Sequence, residues 1–250
     1  MAVHRYADLT WVEMRDLLRG EVVAILPVGA LEAHGPHLPL GTDVIIAEAM
    51  AGAGARLVAE AGKEVVVLPA LPYTAAPFAQ SFAGTLSLPR ATIARLVADI
   101  AAELARQGVS CLALANAHLD PAHLGALADA AELVRAAGAP LLVHPDLTRK
   151  PWAGRLTEEF KSGACHAGQY ETSVVMAARP ELVRDEVRNE LPDNPRSLSR
   201  AIGEGHETFE AAGGPEAYFG YPGAATVDEG QATIDVLGQI LAEAILDDVT

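Results

Sequence analysis

Only two cysteines, Cys111 and Cys165, occur in 250 residues, too few for a disulfide framework or a cysteine metal cluster. Basic side chains are also scarce: 18 Lys and Arg stand against 33 Asp and Glu, a formal net charge of −15. Phosphate-binding chains need a basic stripe, so a nucleic-acid partner is not expected. No stretch approaches the length of an apolar membrane span, and the start, MAVHRYADLTWVEMRD, lacks the apolar run of a leader peptide. The expectation is a cytoplasmic protein with no membrane partner. Linkers, repeats and low-complexity blocks are missing as well, so residues 1–250 are expected to form one domain.

Apolar material, by contrast, is abundant: half of the residues are hydrophobic and a fifth are charged, which excludes a disordered tail. VVAILPV (22–28) predicts a strand buried on both faces, and VIIAEAMAGAGARLVAEA (44–61) a helix capped by Asp43 and weakened by Gly52 and Gly54. A strand over 64–68, an ordered loop over 69–89 and a helix over 88–107 follow. Further strands over 109–115 and 140–144 flank a helix over 121–137, and 172–178 and 228–246 add core. This alternation predicts a mainly parallel sheet covered on both faces, an α/β fold.

Ligands of open α/β sheets collect at the carboxyl ends of the strands. The turn after the first predicted strand, LEAHGPHLPLGTD (31–43), holds Glu32, His34, His37 and Asp43. The turn after the third holds Asn116, His118 and Asp120. These imidazoles and carboxylates suit zinc or manganese and are too many for one ion, so two metals sharing a carboxylate is the economical reading. Each residue also has a plain structural explanation. A solitary Glu-x-His is usually solvated, Asp43 suits a helix cap, and His37 and His123 suit supporting positions. Gly84 and Thr85 in SFAGTLSLP offer donors to a substrate, or else Gly84 serves a tight turn. Trp152 and Phe160 suit either a lid wall or the surface. A Cys165–His166 nucleophile pair is disfavoured, because neighbours on extended backbone point to opposite faces.

The stretch LPVGALEAHGPHLPLGTD (26–43) resembles the signature loop of the creatininase (creatinine amidohydrolase) family. FAGTLSLP (82–89), NAHLDPAH (116–123), HAGQYETS (166–173) and, more weakly, GYPGAATVDEGQ (220–231) agree with it in order. The resemblance implies a three-layer α/β/α sandwich, two divalent metal ions per chain (zinc, manganese or iron), hydrolysis of a C–N bond in a small cyclic or formyl amide, and a homo-oligomer, often a hexamer. By the same resemblance Glu32 and His118 hold one metal, His34 and Asp120 the other, and Asp43 bridges them. His166 acts near the scissile bond, and Glu171 orients it, binds substrate or caps the following helix. Two positions depart from creatininase itself, which has glutamate in place of Asp120 and a substrate-contacting tyrosine in place of Leu119. Creatinine is therefore expected to be a poor substrate. Peptide trimming in cofactor maturation, cyclic-ketone C–C hydrolysis and a metal-stabilised binding protein without turnover are the competing functions.

Overall fold

The computed structural model describes residues 1–138 and 141–249. The strands are β1 (Val3–Arg5), β2 (Val22–Val28), β3 (Glu64–Val67), β4 (Cys111–Asn116) and β5 (Leu141–Val143). They lie in the order β1-β3-β2-β4-β5, and every pairing is parallel. All seven residues of β2, the central strand, are buried, as its unbroken apolar run requires. β1 carries no sequence signal of its own: VHR is too short to show a period, and it is a strand because it pairs with Val65–Val67. Of the strand expected over 140–144, Leu141–Val143 is found, and Pro140 lies outside the described residues.

The helices are α1 (Trp11–Leu17), α2 (Thr42–Glu60), α3 (Arg90–Gln107), α4 (Pro121–Ala136), α5 (Glu158–Ser162), α6 (Gln169–Ala178), α7 (Asp185–Glu190), α8 (Leu198–Gly203), α9 (Phe209–Ala212) and α10 (Val227–Val249). Alternation along β2 sends Val23 and Ile25 into a core with α2, α6 and α10, and Val22, Ala24 and Leu26 into a second core with α1, α3 and α4. The result is a three-layer α/β/α sandwich. From β2 the chain passes through α2 to β3 on one side, then through α3 to β4 on the other. This reversal opens a crevice at the carboxyl ends of β2 and β4, where the polar turns stand. Among the described residues no helix is long and apolar enough to cross a membrane.

A candidate metal centre at the ends of β2 and β4

Gly29, immediately after β2, sets the geometry of the site. A Cβ there would lie 2.5 Å from the backbone nitrogen of Val44, so only glycine lets the first turn of α2 rest against the strand end. The residue flanking α2 at its N-terminus is Gly41, and Asp43 is the second helical residue. Asp43 therefore does not cap α2 as its position suggested. Its side chain, 2% exposed, turns instead toward the two histidines.

Asp43 stands between them. His34 Nε2 lies 3.2 Å from Asp43 Oδ1, and His118 Nδ1 lies 3.1 Å from Asp43 Oδ2. On one side Glu32 Oε1 completes a group with Asp43 and His118, 3.3 Å from His118 Nδ1. On the other side Glu171 Oε2 completes a group with His34 and Asp43, 3.5 Å from His34 Nε2. A third convergence joins Glu32, His34 and His166, with His166 Nδ1 3.9 Å from Glu32 Oε1. Within each group the candidate ligand atoms fall within 4.8 Å of one another.

Backbone carbonyls fix which nitrogen of each ring faces the cluster, since a carbonyl can only accept. His34 donates from Nδ1 to the carbonyl of Glu32 (3.1 Å), leaving Nε2 inward. His118 and His166 donate from Nε2 to Ala75 (2.8 Å) and Ala33 (2.9 Å), leaving Nδ1 inward. An imidazole anchored by its outer N–H presents its other nitrogen as a metal ligand presents it. Glu32 Oε2, His34 Nε2 and Asp43 Oδ2 are buried without a hydrogen-bond partner, although buried polar atoms are normally satisfied. Divalent cations held by this mixed N/O set would satisfy all three, so the residues fit the metals that the donor pattern implies.

The electrostatics lead to the same place. Burial disfavours a charged imidazole at His34, yet Asp43, Glu171 and Glu32 outweigh it and raise its pKa to about 10. His118 is raised well above its ordinary value against burial, chiefly by Glu32 and Asp43. Burial works against the Asp43 carboxylate too, but His34 and His118 hold it well below the usual range. Burial pushes Glu32 and Glu171 up, against the pull of His118 and His34 respectively. The cluster thus collects positive charge wherever a group can carry it. His166 is the exception: burial first and neighbouring His34 second keep it well below its ordinary value, hence neutral. Its ring lies between those of His34 and Phe209, with centroids 4.3 and 4.2 Å away.

The remaining expected residues divide between the cavity and its supports. Leu119 and Asp120 line a cavity of about 420 Å³ above the cluster, together with Glu32, Asp43, His118 and His166. Asp120 is in none of the three groups. Its Oδ1 accepts from Ala122 N (2.7 Å) as the cap of α4 and its Oδ2 accepts from Phe78 N (3.3 Å), so backbone amides occupy the carboxylate. Glu171 stands beside His34 in its place and accepts from Ala167 N (2.6 Å) at the start of α6. Gly84 and Thr85 are not among the residues that line this cavity. Gly84 takes φ +88° under Leu40, and Thr85 Oγ1 accepts from Ala33 N (3.1 Å), so the turn braces the loop that bears Glu32 and His34.

His37 pairs through Nε2 with Thr172 Oγ1 (2.9 Å), and His123 with Asn116 Oδ1 (2.9 Å), which in turn steadies the carbonyl of His118 through Asn116 Nδ2 (2.8 Å). Phe160 walls the cavity, whereas Trp152 packs on the core beneath Arg155. Cys165 lines the cavity beside His166, so extended-chain alternation does not separate the two. Its thiol is nevertheless no nucleophile, because burial, with Glu171 and Glu159 nearby, pushes its pKa up to about 12. Two contributors carried no sequence signal. Phe209 is a solitary aromatic in a polar stretch, and buried Glu159 accepts from the amides of Gln169, Tyr170 and Tyr221, which ties down the start of α6 from outside that helix.

The family model described as creatinine amidohydrolase matches residues 7–245. A mycofactocin precursor peptide peptidase of Mycobacterium tuberculosis (strain CDC 1551 / Oshkosh) is 37% identical over 170 residues, covering 65% of this chain and 61% of that protein. The chain thus matches about six tenths of that curated relative's length. A creatinine amidohydrolase of Pseudomonas putida is 31% identical over 196 residues, covering 70% of this chain and 72% of that protein. Among solved structures, a creatininase described with Mn superposes with a TM-score of 0.75 at 27% identity, covering 98% of both chains. With the parallel five-stranded sheet, the His34–Asp43–His118 arrangement and a family model that spans nearly all of it, the chain belongs to the creatininase family.

Proposed function

We propose that the protein is a metal-dependent amidohydrolase that adds water across the C–N bond of an amide, releasing a carboxylic acid and an amine. The observation that carries this reading is Asp43, fixed between His34 and His118, with its own Oδ2, Glu32 Oε2 and His34 Nε2 buried and unpartnered. Glu32 and His118 would hold one divalent ion, His34 and Glu171 the other, and Asp43 both. Manganese or zinc suits these donors. When bound, such a pair supplies Lewis acidity that polarises the amide carbonyl and lowers the pKa of an attacking water.

The protein's own contribution is proton handling and exclusion of solvent. His166 is neutral, with its proton on Nε2 against Ala33 O, so its inward Nδ1 accepts the proton released as water attacks. It then returns that proton to the leaving nitrogen. The aromatic face of Phe209 holds the ring in line for both transfers. Leu119 presents no hydroxyl to a polar heterocycle, which supports poor recognition of creatinine. The same reading takes the enzyme as a cytoplasmic single domain assembled into a homo-oligomer, a state that light scattering at micromolar concentration would read directly.

A second reading, trimming of a short peptide, is supported by a cavity of about 420 Å³, which accommodates more than a small ring. The test of both is turnover of a panel of lactams, formamides, short peptides and creatinine with manganese and with zinc. The expected result is metal-dependent release of amine from at least one amide class, with creatinine far behind the best substrate. Absence of turnover across the panel from metal-loaded protein would favour a binding protein, and efficient creatinine turnover would contradict the role given to Leu119.

A further inference from the structure

The chain has three lysines, Lys63, Lys150 and Lys161, and two of them line the cavity above the candidate metal centre. This is a marked concentration in a protein of net charge −15. The charges along the cavity are also sorted by depth. Its acidic lining residues, Glu32, Asp43, Asp120 and Glu171, are all buried, whereas Lys150 and Lys161 are exposed. Between floor and rim the wall is apolar, made by Phe78, Phe160, Phe209 and Leu198. At the rim the exposed hydroxyl residues Thr148 and Ser199 accompany the lysines.

Neither lysine is held by a buried partner among the described residues. Lys150 has no ion-pair partner among the described residues. Lys161 pairs with Glu158, whose side chain is 93% exposed, and exchange of such a partner for another anion is nearly free of cost. A cavity built in this order complements a molecule with three parts: a neutral amide at the floor, an apolar group along the wall and an anion at the mouth. A carboxylate is the anion that suits two ammonium groups flanked by hydroxyls.

We propose that Lys150 and Lys161 form an anion-binding rim that selects amides bearing an apolar group and a terminal carboxylate. The inference rests on the amidohydrolase reading and names the substrate class of that site. Bringing such an anion toward a strongly acidic protein needs a local reversal of charge, which the two lysines supply.

The test compares N-formyl-L-phenylalanylglycine with its C-terminal amide on the metal-replete protein, by calorimetric binding and separately by turnover. The acid is expected to bind about tenfold more tightly than the neutral amide, as for a solvent-screened charge-assisted contact. That preference should shrink as salt is added and fall to about unity in the Lys150→Gln/Lys161→Gln double variant. Equal affinities in the wild type, a preference that survives the double variant, or no binding of the acid at millimolar concentration would each overturn the rim. Preferential binding of the acid without hydrolysis of either compound would uphold the rim and count against amide hydrolysis, so the two ideas fail separately.

Discussion

At the scale of single residues, the site depends on imidazoles whose outer nitrogens are held by backbone carbonyls and on carboxylates crowded beyond what burial tolerates unaided. The consequence for variants is two-sided. Glu32→Gln and His118→Ala should each abolish metal-dependent turnover. In chelator, Glu32→Gln should melt no lower than the wild type, because it removes a buried carboxylate that desolvation penalises. Activity assays paired with thermal melts check this, and near-wild-type rates in either variant would contradict the assignment. Glu32, His34 and His118 were legible in the sequence because they follow strand-forming runs closely enough to sit at the strands' ends, whereas Asp43, at the start of α2, was open to both a ligand and a cap reading. The position of Glu171 beside His34 was not, since it depends on how α6 docks far along the chain. Nor was the occupation of Asp120 by backbone amides, since residue type alone does not distinguish a ligand from a cap.

At the scale of elements, the contact between β2 and the first turn of α2 carries the site. Gly29→Ala would force Val44 away from the strand end and move Asp43 with it. The expected outcome is a loss of metal affinity and activity out of proportion to the loss of helix, read by metal titration alongside circular dichroism. Retained metal binding would show that the close approach is dispensable. The β2, β3 and β4 strands and the long helices α2, α3, α4 and α10 were legible because each has a period or an apolar run of its own. β1 was not, because its three residues gain strand character only by pairing with β3. α1 is short and its best signal is local: Thr10 and Glu13 form a capping box, a pattern that the otherwise weak periodicity obscures. The shift of the α2 start from Val44 to Thr42 is only two residues, yet it changes Asp43 from a helix cap into the centre of the site.

At the scale of the whole molecule, pH and metal act on the same folded state. His144 sits next to the end of β5, with Nε2 buried and unpartnered, and burial lowers its pKa from 6.5 to about 4, partly opposed by Asp146. Above about pH 6.5 both folded and unfolded chains carry it neutral. As pH falls from there toward about 4, the unfolded chain takes up the proton first and stability declines. His144→Gln should therefore flatten the acid side of the stability profile measured by urea unfolding, and an unchanged slope would contradict this. The central claim, a paired centre that shares Asp43, is tested most directly by elemental analysis of metal per chain after metal-replete preparation and dialysis. About two divalent ions are expected in the wild type, about one in Glu171→Gln, almost none in Asp43→Asn, and still about two in Asp120→Asn. One ion or none in the wild type, or a loss in Asp120→Asn while Glu171→Gln keeps both, would contradict the account.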